Sequence, residues 1–336
     1  MILDVFGQDA FNALSLTAAI NKVDYLPSQL GDVFEATPVN TKSVASEEVG
    51  DTLTLVQSSP RGGVGGNRAD DKRTLRSFEV PHLSLEDRLM ADEIDSVRAF
   101  GSETQLEMIQ RKTQEKAEKL ARNIQLTWEN LRLGAIKGTI TDADGTTLFN
   151  LFTEFGVSQE SEIDFDLDAA SPASGALRTK IASAVRLVRK NTKGAPPNAR
   201  IRAICGETFW DQLIAHSEVR ETFLNWQASQ DLRGSGAHGR FSFGGIDWEE
   251  YRGTDDGSTL TVSATKTHIF PVGVPDLFKI HYAPASTTEF VNTDGIPFYE
   301  FQAVDAKYQR WVDIMVESNP LPICTQPKSL ILGKNT

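Results

Sequence analysis

The sequence predicts an α+β protein, and three observations carry that prediction. A helical period of apolar residues runs unbroken across residues 102–134, which is one long helix. A long polar hairpin lies between Val44 and Val80. From about residue 176 to 316, short amphipathic helices alternate with short strands. The chain has 336 residues, enough for about two domains, and its 40 % apolar and 24 % charged content is that of a folded protein.

In chain order, residues 1–40 carry little regular structure. Asp9 to Asn21 offers a short amphipathic helix through Phe11, Leu14, Leu16 and Ile20, and Pro27, Gly31 and Pro38 then break the chain. This reads as an arm. Residues 43–57 and 73–81 read as two strands, joined by the glycine-rich connector Ser58 to Asp71. An isolated two-stranded hairpin is marginal in water, and nothing adjacent in sequence offers a cover.

In the long helix, Ser102 and Gln105 have capping-box spacing. Leu106, Ile109, Thr113, Ala117, Leu120, Ile124, Trp128 and Leu131 form the apolar stripe, and Gly134 is placed as its C-terminal cap. The stripe is narrow, which predicts a helix crossing a flat molecule. Asp142-Ala143-Asp144-Gly145 marks a turn between strands at Thr139–Thr141 and Leu148–Phe155, and residues 158–175 read as an acidic loop.

Leu177, Ile181, Val185 and Val188 mark the next helix, which Gly194 and Pro196-Pro197 end. Its basic face, with Arg178, Lys180, Arg186, Arg189 and Lys190, reads as a solvated or intersubunit surface in preference to a DNA site. Strands follow at Ile201–Cys205, Phe241–Arg252, Leu260–Val262, His268–Val272, Leu277–Tyr282, Glu289–Asn292, Phe298–Val304 and Trp311–Val316. Short helices fall at Glu207–Ile214 and Ser217–Trp226, and Pro320, Pro322 and Pro327 stiffen a tail.

Chemistry is sparse. The net charge of −12 argues against sequence-reading DNA binding, which needs concentrated positive charge, but not against a wall that encloses DNA without gripping it. No apolar run is long enough to span a bilayer, and Met1 to Phe6 lacks the pattern of a secretory signal. Arg61 to Arg68 lacks the Gly-Lys-Ser/Thr ending of a phosphate loop and reads better as a hairpin tip. His82, His216, His238, His268 and His281 have no metal-ligand spacing, and Asp142 and Asp144 are out of register for a calcium loop. Cys205 and Cys324 read as reduced thiols. Cys205, at a strand end before a helix, is a candidate activated thiol but reads better as a small buried hydrophobe. No catalytic, cofactor-binding or metal residue is assigned.

The residues resemble the phage major capsid protein E family, the lambda-like branch of the tailed-phage capsid fold. The resemblance begins at Asp9-Ala10-Phe11 and Leu16 to Asn21 and continues through Arg61-Gly62, Arg76-Ser77-Phe78 and Pro81-His82-Leu83. It is strongest at Ala91 to Ile94 with Arg98 to Glu103, and leads into Arg132 to Gly138. Phe243 to Ile246, Glu250 to Gly253, Tyr282 to Ala285, Val291 to Pro297 and Glu317 to Leu321 extend it.

The resemblance implies a Hong Kong ninety-seven-type fold. Its parts would be an N-terminal arm (1–40), an extended hairpin loop (41–83), a peripheral domain (84–170) with a spine helix (102–134), an axial domain (171–285), a return to the peripheral domain (286–318) and a C-terminal tail (319–336). It implies a major capsid protein that assembles as hexamers and pentamers into an icosahedral head shell around double-stranded DNA, built in the bacterial host cytoplasm. Decoration, scaffolding and portal proteins are the other expected partners, with any scaffold a separate protein and no membrane involved. Arg61, Gly62, Arg68, Arg73, Arg76 and Phe78 are the expected intersubunit contacts, and Phe6, Phe11 and Leu16 the expected arm contacts. Two other readings stay open: a binding module that uses the hairpin tip, and an enzyme with its site between 200 and 285.

Overall fold

The structure is a computed structural model describing residues 29–49, 73–95, 105–169, 173–196, 199–220, 240–254, 260–308 and 310–335. Its axis is the helix α2 (Gln105–Lys137), which follows a short helix α1 (Ala91–Asp95). Thr113, Ala117, Leu120, Ile124, Trp128 and Leu131 are all buried, as the helical period predicts. The narrow stripe holds only for the first half. Leu131 to Ile136 are buried around the whole circumference, because strands close over that end.

Gly134 does not cap α2. The helix runs on to Lys137, and Gly138, at φ +81°, turns the chain out of it. Gly134 is needed for closeness instead: a Cβ there would lie 2.9 Å from both Ile140 Cα and Thr139 O. The hairpin β5 (Thr139–Thr141) and β6 (Thr147–Asn150) therefore lies directly on the helix that precedes it. Asn150 then caps the single-turn helix α3 (Leu151–Glu154), its side chain accepting from the amides of Phe152 and Thr153, so the expected strand Leu148–Phe155 is half helix.

Two sheets pack on α2. One has the order β13 (Tyr299–Val304), β14 (Trp311–Ser318), β4 (Leu83–Met90), and the other β1 (Glu35–Pro38), β12 (Phe278–Tyr282), β15 (Pro320–Cys324). Trp128 ties the layers together. Its ring stacks on Phe298 with centroids 4.6 Å apart, and its Nε1 donates to Ser318 Oγ at 3.2 Å. The hairpin β2 (Ser43–Val49) and β3 (Arg73–Glu79) forms a further two-stranded sheet, with Val44 opposite Phe78.

The largest sheet has six strands, in the order β7 (Ile163–Asp164), β16 (Ile331–Lys334), β11 (Lys266–Val272), β8 (Arg200–Cys205), β10 (Ile246–Glu250), β9 (Arg240–Phe243). Helices α4 (Ala176–Asn191) and α5 (Glu207–Ala215) cover one face. Along β8, Ile201, Ala203 and Cys205 face those helices, while Ile204 joins the core around α2. A strand buried on both faces loses its alternation, and Ile201 to Cys205 reads accordingly as a nearly continuous apolar run.

Several expectations need correction. Residues 319–336 are not a tail: β15 lies against β12, and β16 is inserted between β7 and β11. Pro320 and Pro322 are accepted because β15 is an edge strand, which needs donors on one side only. Glu35 to Pro38, expected within the arm, form a strand parallel to β12. Phe241 to Arg252 is a hairpin, turned by Gly244 and Gly245 at φ +66° and +87°, the positive values a tight hairpin turn requires. Leu260 to Val262 is not a strand, and around Glu289 the chain makes a 3₁₀ turn, Thr288–Phe290. Ser217 to Arg220 is helical as expected, and the rest of that predicted helix lies outside the described residues.

Candidate functional site

The hairpin β2–β3 is the first candidate, and its foot is set in the chain's own core. Phe78 is 1 % exposed, stacked on Phe155 at 5.8 Å and edge-on to Phe149 at 5.6 Å. Arg76 lies over the Phe155 ring at 5.3 Å and donates from Nη2 to Phe155 O at 2.9 Å. At the open end, Val80 N donates to Lys42 O. The cover that no neighbour in sequence offers therefore comes from β6 and the turn after it. Phe78, expected at an intersubunit contact, places its ring inside its own subunit as the anchor of the hairpin. Arg73 lies on β3. Arg61, Gly62 and Arg68 lie outside the described residues, as do Phe6, Phe11 and Leu16.

Beside this foot lies a groove of about 640 Å³. Val44, Phe155, Val157 and Ile323 give it an apolar lining, and Lys193, Lys279, Lys328 and Asp276 line it with charge, Asp276 pairing with Lys279 at 2.6 Å.

The second candidate is the segment 29–34, at the end of the stretch that the sequence reads as an arm. Leu30 is fully buried, and its amide donates to Glu129 Oε1 at 3.1 Å. Arg202, with a side chain 4 % exposed, donates to Gln29 O at 2.7 Å and pairs with Asp32 at 3.0 Å and Glu249 at 2.6 Å. Glu129 also meets Arg132 at 3.7 Å and the hydroxyl of Tyr251 at 3.5 Å, and burial beside that carboxylate raises the Tyr251 pKa. Sequence reasoning missed this cluster. The available signal was Glu129 and Arg132, a charged pair one turn apart in the most apolar part of α2.

Both cysteines and His268 are sequestered. Cys205 is fully buried, and burial pushes its thiol up to about 12 despite a hydrogen bond with Thr267 Oγ1. Cys324 is likewise pushed up to about 12 by burial. His268 is held down to about 3 by burial and by the neighbouring Lys137 and Lys266. His82 Nδ1 lies 2.9 Å from Asn319 Oδ1, and His216 accepts from Glu218 N. Among the described residues, no cluster of His, Cys, Asp or Glu could hold a metal ion, and no helix is long and apolar enough to cross a membrane. On the basic face of α4, Arg178 and Lys180 pair within the chain, with Glu218 and Asp166, while Arg186, Arg189 and Lys190 are exposed.

The hairpin foot and the segment 29–34 are both fixed by contacts within the chain. Comparisons with known proteins place the chain in a family. The family model described as phage major capsid protein E matches residues 12–335. The major capsid protein of Pseudomonas phage KPP10 is 30 % identical over 330 residues, 92 % of each chain. That of Salmonella phage Felix O1 is 24 % identical over 335 residues, 90 % of each chain. Among solved structures, a protein of an E. coli CFT073 prophage assigned to its capsid superposes with a TM-score of 0.56 at 14 % identity, over 97 % of this chain and 99 % of that one. The capsid structure of cyanophage P-SCSP1u gives 0.53 at 10 % identity, over 94 % and 90 %.

The chain has the tailed-phage capsid fold and belongs to the phage major capsid protein E family. It is a structural protein of the phage head shell and not an enzyme.

Proposed function

We propose that copies of this chain form hexamers and pentamers that close into an icosahedral shell around double-stranded DNA, assembled in the cytoplasm of the bacterial host. One observation carries the reading: β2 and β3 pair with no third strand among the described residues, yet their foot is fixed by Phe78 and Arg76. A two-stranded ribbon held at one end gains stability by lying on another surface. In this reading that surface belongs to the neighbouring subunit. Residues 41–83 form the extended loop, α2 is the spine of a peripheral domain, and the six-stranded sheet belongs to an axial domain around the capsomer axis. Many modest contacts of about 800 Å² per partner, repeated around a closed shell, make it stable through multivalency.

The arm, through Phe6, Phe11 and Leu16, and the tip, through Arg61, Gly62 and Arg68, supply further contacts with neighbours or with a decoration protein. Scaffolding and portal proteins complete the partners. Negative net charge suits a wall that lets packaged DNA slide.

Deleting Ser59 to Asp70 tests the reading. The expected outcome is a subunit with unchanged far-UV circular dichroism that no longer closes shells in electron microscopy and sedimentation. Normal shells from the deleted chain, or a full-length chain that stays monomeric with phage partners present, would overturn it.

A further inference from the structure

We propose that the loop 286–294 of one copy seats Val291 in the groove beside the hairpin foot of a second copy. This rests on the shell reading and names one of its contacts.

The loop is held like a tool. Ser286 N donates to Glu317 Oε1 at 3.4 Å, and Gly295 N donates to Val39 O at 2.9 Å, so both ends are pinned. Gly295 approaches Tyr282 so closely that a Cβ would lie 2.1 Å from its carbonyl oxygen. From beneath, Phe290 is 5 % exposed, with its ring 4.7 Å from that of Tyr299. The next residue, Val291, is 62 % exposed, the highest value among the large exposed hydrophobics of the described residues. Asn292 then takes φ +59°, a left-handed turn that asparagine tolerates. A rigid support under an exposed apolar tip is preorganised for contact, because little ordering entropy remains to be lost.

The groove offers the complement. Its lining of Val44, Phe155, Val157 and Ile323 matches a valine, and at about 640 Å³ it has room for a loop tip. Charge also matches. Glu289 and Asp294 flank Val291 and are exposed, and Lys193 and Lys328 line the groove. Glu289, Asp294 and Lys193 have no ion-pair partner among the described residues, while Lys328 meets only Glu160, at 3.8 Å.

Val291 is not part of the lining of its own groove. Knob and hole are different surfaces of one chain, so their contact is head-to-tail. It propagates from copy to copy and closes only where the rotation closes.

Val291→Cys combined with Lys193→Cys in the full chain tests the contact directly. After oxidation at high protein concentration, a non-reducing gel is expected to show a ladder of trimers and longer species. Each single variant is expected to stop at dimers. Cys205 and Cys324 are buried and do not contribute. A double variant that gives only monomers or dimers overturns the contact. Independently, Val291→Asp is expected to cut shell yield about tenfold or more, since a carboxylate would replace a buried valine, while Val291→Leu keeps it. Full shell yield from Val291→Asp overturns the contact and leaves the shell reading standing. A native chain that never forms shells, with the double variant still giving the ladder, sinks the shell reading and supports the contact.

Discussion

Phe78 on the hairpin stacks on Phe155 at the end of the turn that follows β6, with ring planes 30° apart. This joins β3 to the core around α2. In the proposed reading it separates two tasks within one hairpin: the foot serves folding and the tip serves assembly.

Phe78→Ala is therefore expected to destabilise the isolated subunit by about 3–5 kcal/mol, the usual cost of emptying a buried phenylalanine site. Deleting Ser59 to Asp70 is expected to change subunit stability by less than about 1 kcal/mol, since shortening a loop alters closure entropy only slowly. Urea unfolding of both variants checks the division. Equal losses would mean that foot and tip are one unit.

Arg202→Met is expected to cost about 3–5 kcal/mol, because Glu249 is left with a side chain only 14 % exposed and without its closest partner. The same change removes the bond to Gln29 O, so limited proteolysis should cut faster between Gln29 and Phe34. Adding Glu249→Gln to Arg202→Met should recover part of the stability and none of the protection at residues 29–34.

Glu300 is 3 % exposed, and burial raises its pKa from 4.5 to about 7, against a hydrogen bond from Gln302. Its folded value stands above its unfolded value, so the folded chain holds this proton more tightly. Stability from this group is full below about pH 4.5 and is lost as pH rises to about 7. Glu300→Gln should remove that slope and stabilise the chain at pH 8 by on the order of 3 kcal/mol. His268 acts in the opposite sense. Its pKa is depressed from 6.5 to about 3, so its contribution is present above pH 6.5 and lost on acidification. Melting curves of the native chain and of Glu300→Gln between pH 4 and pH 8 separate the two.

Neither cysteine should react with a thiol reagent at pH 8 in the native subunit, because both thiols are fully buried and pushed up to about 12. Both should react after denaturation. Rapid labelling of native Cys205 would reopen the reading in which it is an activated thiol.

Much of the fold was legible in sequence wherever a local period decided it. The stripe Thr113 to Leu131 placed α2, Leu177 to Val188 placed α4, and Asp142 to Gly145 placed a turn, because each depends on neighbours within a few residues. The same signals misled where a distant partner changed their meaning. Gly134 has the look of a cap, yet it makes room for Ile140. Pro320 and Pro322 have the look of a stiff tail, yet they lie on an edge strand against β12. The clamp on residues 29–34 was invisible because Arg202 and Asp32 are 170 residues apart.

By itself the sequence determined which faces of its helices are apolar and that a polar segment joins two strands between Val44 and Val80. Only the tertiary structure decided that Ile331 to Lys334 enter the six-stranded sheet between β7 and β11, and that Phe155 supports the foot of the hairpin. The reason is physical. Periodicity states that a residue must be buried, but many distant segments could bury it equally well, and the choice among them is made by the packing of the whole chain.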